Sequence, residues 1–338
     1  MPNKTLLCTL ATAFLFLSGC APKISVKVLE PAAVDAIASK KRVAIYPFAN
    51  DSVALGGTIE ALLAAYTIEG KPYFQTLNRQ SLEQLAQEHA LQSSQMLDQK
   101  TAAEVGALVG AQALIVGEVI SADAKKGFYK EDKEKCLQKD KEGKCLQFKH
   151  YKVTCHTLKA DLAANISIVD VASAQSIYGD VLRHNYFADS CKNGTIYSDS
   201  QALGALSKEL AAAFVAKLTP SYRYQNVELL DSLEYDDATD DEEEQFAYAI
   251  EYIEAQRFEK AESLLRPLME SFEGKAWSVS YNLGVIREAQ GDYEDAKRFY
   301  TLADDAMLAP VDAINEALVR IDTLIRKREH AKAQIDAR

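Results

Sequence analysis

Cysteine is the residue type in this chain with the most distinctive chemistry, and four of the six cysteines lie in its middle third, at Cys136, Cys145, Cys155 and Cys191. The first two belong to a Lys-Cys-Leu-Gln motif that occurs twice, at Lys135 and at Lys144, with Lys-Asp-Lys-Glu-Gly between the copies. A hairpin turned about Asp140-Lys141 sets Cys136 opposite Cys145. An even number of cysteines in an oxidising compartment points to disulfides, and four cysteines allow three pairings. The favoured set is Cys136 with Cys145 and Cys155 with Cys191. The rival chemistry is a metal site that also draws on His150 and His156, but the spacing fits no zinc ribbon or finger, and no metal is expected.

A fifth cysteine carries a different chemistry. Met1 to Gly19 has Lys4, a twelve-residue apolar run from Leu6 to Leu17, and then Leu-Ser-Gly before Cys20. Twelve apolar residues are too few to span a bilayer, which takes about 20. The pattern is a secretory signal ending in a lipobox, with residues 1–19 removed and Cys20 lipidated as the first residue of the mature protein. Acyl chains on one cysteine make a stable anchor at about 0.8 kcal/mol per buried CH₂. Ala21 follows Cys20, which by similarity to other bacterial lipoproteins implies the outer membrane, facing the periplasm.

Catalytic motifs are missing. There is no G-x-S-x-G, no H-E-x-x-H, no P-loop and no dinucleotide fingerprint, and His89, His150, His156, His184 and His330 are scattered. The chain is expected to be non-enzymatic and to need no cofactor. Its net charge of −11 argues against nucleic acid as a partner.

The elements that position the cysteines begin after a tether over 20–40, with a short helix around Ala32 to Ser39. Arg42 to Val119 alternates strands and helices with short links, as an α/β layer around one core does. RVAI opens a strand. Leu55 to Glu69 is helical, with Ile59, Leu62, Leu63 and Tyr66 on one face. Tyr73 to Leu77 is a strand and Asn78 to Ala90 a helix. Thr101 with Glu104 reads as a capping box, and Leu108 and Val109 close the face of the helix it opens. Ala113 starts a buried strand. Leu158 to Ile168 alternates as a half-buried antiparallel strand, Ser176 to Tyr186 returns, and Asp199 to Leu218 is an amphipathic helix with Leu203, Leu206, Leu210 and Phe214 inward.

RVAIYPFAND, then PYFQTLNRQSLEQLAQEHAL, then VGALVGAQALIVGEVISADAK, together resemble the curli secretion channel (CsgG/HfaB-type) family of lipoproteins. The sharpest pieces are Arg79 opening a helix with Glu88 near its end, and Gly110-Ala111 leading into a strand ended by Gly117-Glu118. VDVASAQSIYGDVLR fits the same pattern, so the resemblance spans Lys41 to Pro220. It implies an α/β (α+β) layered domain with a mixed sheet over 41–220, and self-assembly into a homo-oligomer. Lipoproteins that activate peptidoglycan synthases are similar over the same span.

Such a channel builds its barrel from two hairpins per subunit, at positions matching Ala124 to Lys152 and Arg183 to Ser198. A membrane strand needs about 9–11 residues with an apolar outward face. The second insertion has 16 residues for two strands and a turn, with Asp189, Lys192 and Asp199 in or beside it. In Lys125 to Lys152, fifteen of 28 residues are charged, ten of them lysine, at both parities. Each charge on the lipid face costs about 2–4 kcal/mol at mid-bilayer. The resemblance therefore supports the fold while the channel becomes the alternative. The lysines read as a solvated face, with phosphate or glycan binding as the sharper reading.

Asp231 to Glu244 has nine acidic residues and no basic one, which marks 221–244 as a linker. Beyond it Phe258-Glu-Lys-Ala261 recurs as Tyr293-Glu-Asp-Ala296, offset by 35. With Leu283, Gly284, Gly291, Tyr293, Ala296, Tyr300 and Ala303, the second copy resembles the tetratricopeptide repeat. The expectation is an all-α repeat domain over 245–328, including a capping helix from Val311 to Lys327, then a polar tail over 329–338. Trp277 packs in the first helix of the second copy. The function expected is that of an outer-membrane lipoprotein that scaffolds or regulates an envelope assembly or secretion machine, with periplasmic or outer-membrane proteins bound through the repeats.

Overall fold

The computed structural model describes residues 21–77, 98–192 and 194–337. The expected signal segment with Cys20, and the helix expected over Asn78 to Ala90 with Arg79, Glu88 and His89, lie outside the described residues. The chain divides into two compact units, one holding 29–222 and 327–338, the other 223–326 and the residues before Leu29.

The larger unit is built on a five-stranded mixed sheet in the order β5-β2-β6-β7-β8. The strands are β2 (Arg42–Ile45), β5 (Gln75–Thr76), β6 (Ala113–Lys139), β7 (Cys145–Asp170) and β8 (Gln175–Asp189). β5, β2 and β6 run parallel, and β6, β7 and β8 form an antiparallel meander. Alternation sorts the side chains by face. Val43, Ile45, Ala113, Ile115, Leu162 and Ile166 face one way and pack with Ile59 and Leu63 of α2 (Leu55–Ala65) and Leu206, Leu210 and Phe214 of α4 (Asp199–Leu218). Ala44, Tyr46, Leu114 and Val116 face the other way, against Ala102 and Val105 of α3 (Gln99–Leu108). The mixed-sheet layered domain followed by helices is thus the observed architecture.

Local readings need correction at several points. The helix expected to reach Glu69 stops at Ala65, and β3 (Thr67–Ile68) pairs antiparallel with β4 (Lys71–Pro72). α3 is capped not by Thr101 with Glu104 but by Asp98, whose carboxylate accepts from Thr101 N at 3.0 Å. An aspartate one turn earlier supplies the stronger cap. Leu108 does not close that helix's apolar face: it is 59% exposed, while Ala102, Ala103, Val105 and Gly106 are buried.

The expected tether also gives way. Lys23–Glu30 is a strand, β1, whose residues Ile24, Val26 and Val28 alternate into a core. It is hydrogen-bonded to β9 (Ser221–Glu228), which occupies the start of the expected linker. α1 (Asp35–Ala38) follows β1. The acidic residues from Asp240 to Glu244 open α5 (Asp240–Glu254), where negative charge complements the helix dipole. α6 (Phe258–Ser271), α7 (Trp277–Gln290) and α8 (Tyr293–Asp305) complete the helix series before α9 (Asp312–Asp336). The expected polar tail is the last part of α9. Gln334 is buried there because its amide accepts from Ala32 N at 2.7 Å and donates to Ala32 O at 3.2 Å. Beside it Lys41 Nζ donates to Gln334 O at 2.7 Å and lies 3.6 Å over the Tyr73 ring, and burial lowers its pKa to about 8. Among the described residues no helix is long and apolar enough to cross a membrane.

Candidate interaction surfaces

The cysteines lie on the continuation of β6 and β7. These strands stay paired from Ala113↔Asp170 to Lys139↔Cys145, while β8 leaves the sheet at Thr157↔Asp189. Beyond Gly127↔Thr157 the meander is therefore a two-stranded ribbon. Such a ribbon buries little and is marginal by itself in water. Two disulfides supply what packing does not. Cys155 and Cys191 are joined where the third strand ends, with Cα atoms 5.3 Å apart. Cys136 and Cys145 are joined at the tip, with Cα atoms 5.8 Å apart. The tip pair is not directly opposed: Cys136 pairs with Phe148 and Cys145 with Lys139, since register shifts fall between Cys136 and Lys139. The turn spans Asp140 to Lys144, where the Asp140 carboxylate accepts from Glu142 N at 3.0 Å and Lys144 N at 2.8 Å.

The collar below the ribbon is polar. Asp189 is buried and accepts from Tyr129 Oη at 2.8 Å and Cys191 N at 2.9 Å. Burial alone would raise its pKa, but these two hydrogen bonds hold the carboxyl below its usual range. The same bond, with the negative charge behind it, pushes the Tyr129 phenol up to about 12.

Register settles which side chains share a ribbon face. One face carries Phe128, His156, Asp132, Lys152, Glu134 and His150, with cross-strand pairs Asp132–Lys152 at 3.8 Å and Glu134–His150 at 3.1 Å. The opposite face carries Tyr129, Glu131, Lys133, Tyr151, Lys135 and Lys149. Both faces are charged, and Phe128 (76% exposed) and Phe148 (51% exposed) stand among the charges. His150 and His156 lie on the face away from Cys155, so neither joins a cluster with it. Among the described residues the second insertion forms no hairpin: β8 runs to Asp189 and a short 3₁₀ turn over Ser190–Lys192 follows.

The helical unit offers a second surface. Gly284 is where α7 and α8 touch, since a Cβ there would lie 2.6 Å from the Tyr300 ring. Gly291 ends α7 in the left-handed conformation at φ +80°. Leu283, Tyr293, Ala296, Tyr300 and Ala303 are all buried in one cluster, with the Tyr281 and Tyr300 rings 5.4 Å apart and tilted by 46°. Trp277 opens α7 and packs partly buried on that cluster. Sequence reading missed the polar centre. Glu288 is fully buried and accepts from Arg320 Nε at 2.9 Å, Arg320 Nη2 at 3.0 Å and Tyr300 Oη at 2.6 Å. Burial, then the Glu288 charge, drives the Tyr300 pKa well above normal, and against its own burial Arg320 is held charged by Glu288. Nothing in the local sequence marks this pair, because its partners are 32 residues apart on different helices. Above it lies a cavity of about 360 Å³ bordered by Lys23, Glu228, Tyr281, Asp312, Glu316 and Arg320.

No curated protein matches the chain. Among solved structures the chain is similar to a PelC dodecamer from Paraburkholderia phytofirmans, at 11% identity and a TM-score of 0.26, over 58% of this chain and 97% of that one. Residues 20–126, which hold β1, β2 and the buried start of β6, match the family described as "Curli production assembly/transport component CsgG".

Proposed function

We propose that this chain is a non-enzymatic lipoprotein of the outer membrane, anchored through Cys20 on the periplasmic side, that holds an envelope assembly or secretion machine together by protein–protein contacts. The CsgG-type segment supports a role in assembly or transport, and the tetratricopeptide-like helix pairs are the expected protein-binding part. The observation that carries the reading is the distribution of charge on the ribbon. A barrel strand turns one face to lipid, yet here Asp132, Glu134 and Lys152 occupy one face and Glu131, Lys133, Lys135 and Lys149 the other. A solvated ribbon that displays aromatic side chains among lysines suits a protein contact better than a bilayer.

A second reading, a subunit of an oligomeric secretion channel, draws on one feature: β6 and β7 are 27 and 26 residues long, more than a bilayer requires. Photo-crosslinkers placed in the full-length protein at Phe128, Phe148, Leu302 and Val319 separate the two in intact cells. These side chains are all exposed. The proposal expects protein adducts from both surfaces. Adducts to lipid alone from Phe128 and Phe148 would favour the channel.

A further inference from the structure

The two disulfides differ in what surrounds them. The sulfurs of Cys136 and Cys145 face backbone oxygens, of Gln138 and Gln147 respectively, each at 3.2 Å. At the collar a carboxylate converges on the sulfurs instead. Glu131, Cys155 and Cys191 each bring a ligand atom to within 4.8 Å of the other two. Register explains the meeting: Glu131 is opposite Val153, so Cys155 is its diagonal neighbour on the same face, and Cys191 closes in from the turn after β8. Glu131 Oε2 stands 3.4 Å from Cys155 Sγ. A disulfide sulfur has no proton to donate, so no hydrogen bond holds the carboxylate there in the oxidised protein. Lys133 Nζ lies 4.0 Å from the same carboxylate oxygen, on a side chain that can swing to solvent.

The geometry points to a metal site that exists only when this disulfide is reduced: Cys155 and Cys191 as thiolates and Glu131 as carboxylate, holding one soft or borderline cation of the zinc class, with a fourth position open to water. A dithiol reductant gives two electrons and two protons to the Cys155–Cys191 bond and is itself closed to a disulfide. The cation then displaces the two thiol protons and forms two metal–sulfur bonds. Zinc–thiolate bonds of about 2.3 Å in a tetrahedron set sulfurs about 3.8 Å apart, which side-chain rotation supplies from Cα atoms already 5.3 Å apart. Two thiolates with one carboxylate select zinc-like ions over magnesium or calcium. The site also has a structural consequence. The Cys155–Cys191 link fastens the end of β8 to the ribbon, and bound metal keeps that fastening under reducing conditions.

The test uses the full-length protein, reduced with a phosphine, and Co²⁺ as the optical probe with Zn²⁺ in competition. Far-UV circular dichroism checks that each variant is folded. The expected result is one Co²⁺ per chain with an intense thiolate-to-cobalt charge-transfer band in the near ultraviolet. The band should vanish on reoxidation and in Cys155→Ser and Cys191→Ser, and persist in the Cys136→Ser/Cys145→Ser double variant. Glu131→Gln should weaken Co²⁺ at least about tenfold while the thiolate band survives at saturation. A folded, reduced protein without the band overturns the proposal. So does a band of equal strength in Cys155→Ser, or unchanged affinity in Glu131→Gln.

Discussion

The base of the β6–β7 pair and its distal ribbon belong to one continuous ladder, yet they are held by different forces. At the base Ala113, Leu114, Ile115 and Val116 are buried on both faces, and Leu158, Ala160, Leu162 and Ile166 alternate into the core. In the ribbon the same alternation persists, but charges stand where the base has aliphatics. Each buried Leu or Ile contributes about 1.5–3 kcal/mol, and the ribbon has no comparable source. Covalent links stand in its place, one at the collar and one at the tip. Hydrogen-bonded pairing alone therefore does not make a strand part of the core. The side chains on its two faces decide that.

The largest effect expected is that of a cavity at the base. Leu162→Ala should lower stability by about 2–5 kcal/mol, whereas Phe128→Ala in the ribbon should stay within about 0.5 kcal/mol. Denaturant titration of both variants measures the contrast. Next in size is the collar. Cys155→Ser opens a loop with a sequence separation of 36 and should cost about 2–4 kcal/mol. Cys136→Ser opens a loop of only nine residues of separation in a part that opens locally, so it should appear as faster amide exchange at the tip with little change in the global midpoint.

In the helical unit close packing leaves no slack. Gly284→Ala should cost about 1–3 kcal/mol by forcing α7 from Tyr300, read as a lower thermal midpoint. A further effect is electrostatic. Asp170, at the end of β7, pairs with Lys40 at 2.5 Å and accepts from Ser173 N at 2.8 Å, and the Lys40 contact first of all lowers its pKa. A carboxyl depressed in the folded state adds stability above its unfolded pKa of about 3.9, and that stability is lost as pH falls through the lower folded value. Asp170→Asn should therefore cost about 1–2 kcal/mol at pH 7, and the gap to the parent should close in acid unfolding below about pH 4.

Where local pattern and tertiary environment agree, the residues announced the structure. The helix over Asp199 to Leu218 coincides with α4, and the alternation of Leu158 to Ile168 runs within β7. Misreadings fall where a partner distant in the chain decides. β1 and β9 are short strands separated by about 190 residues, with no turn between them to signal pairing. Acidic composition hid α5, because Asp and Glu at a helix start resemble a linker until Thr239 is seen to cap it. The tail looked polar because Gln334 is buried by an amide paired with Ala32, not by apolar surface. Of the candidate surfaces, the cysteine motif and the repeat glycines were legible. The Glu288–Arg320 pair and the Glu131 carboxylate beside the collar were not, since each depends on register or on a contact between helices.

The stapled ribbon is proposed to be a solvated, protein-facing element and not part of a membrane pore. It is tested by conductance in planar bilayers, with the purified full-length protein reconstituted at high density beside a variant lacking residues 124–152. Neither protein should give unitary current steps. Reproducible steps from the intact protein that disappear with the deletion would contradict it.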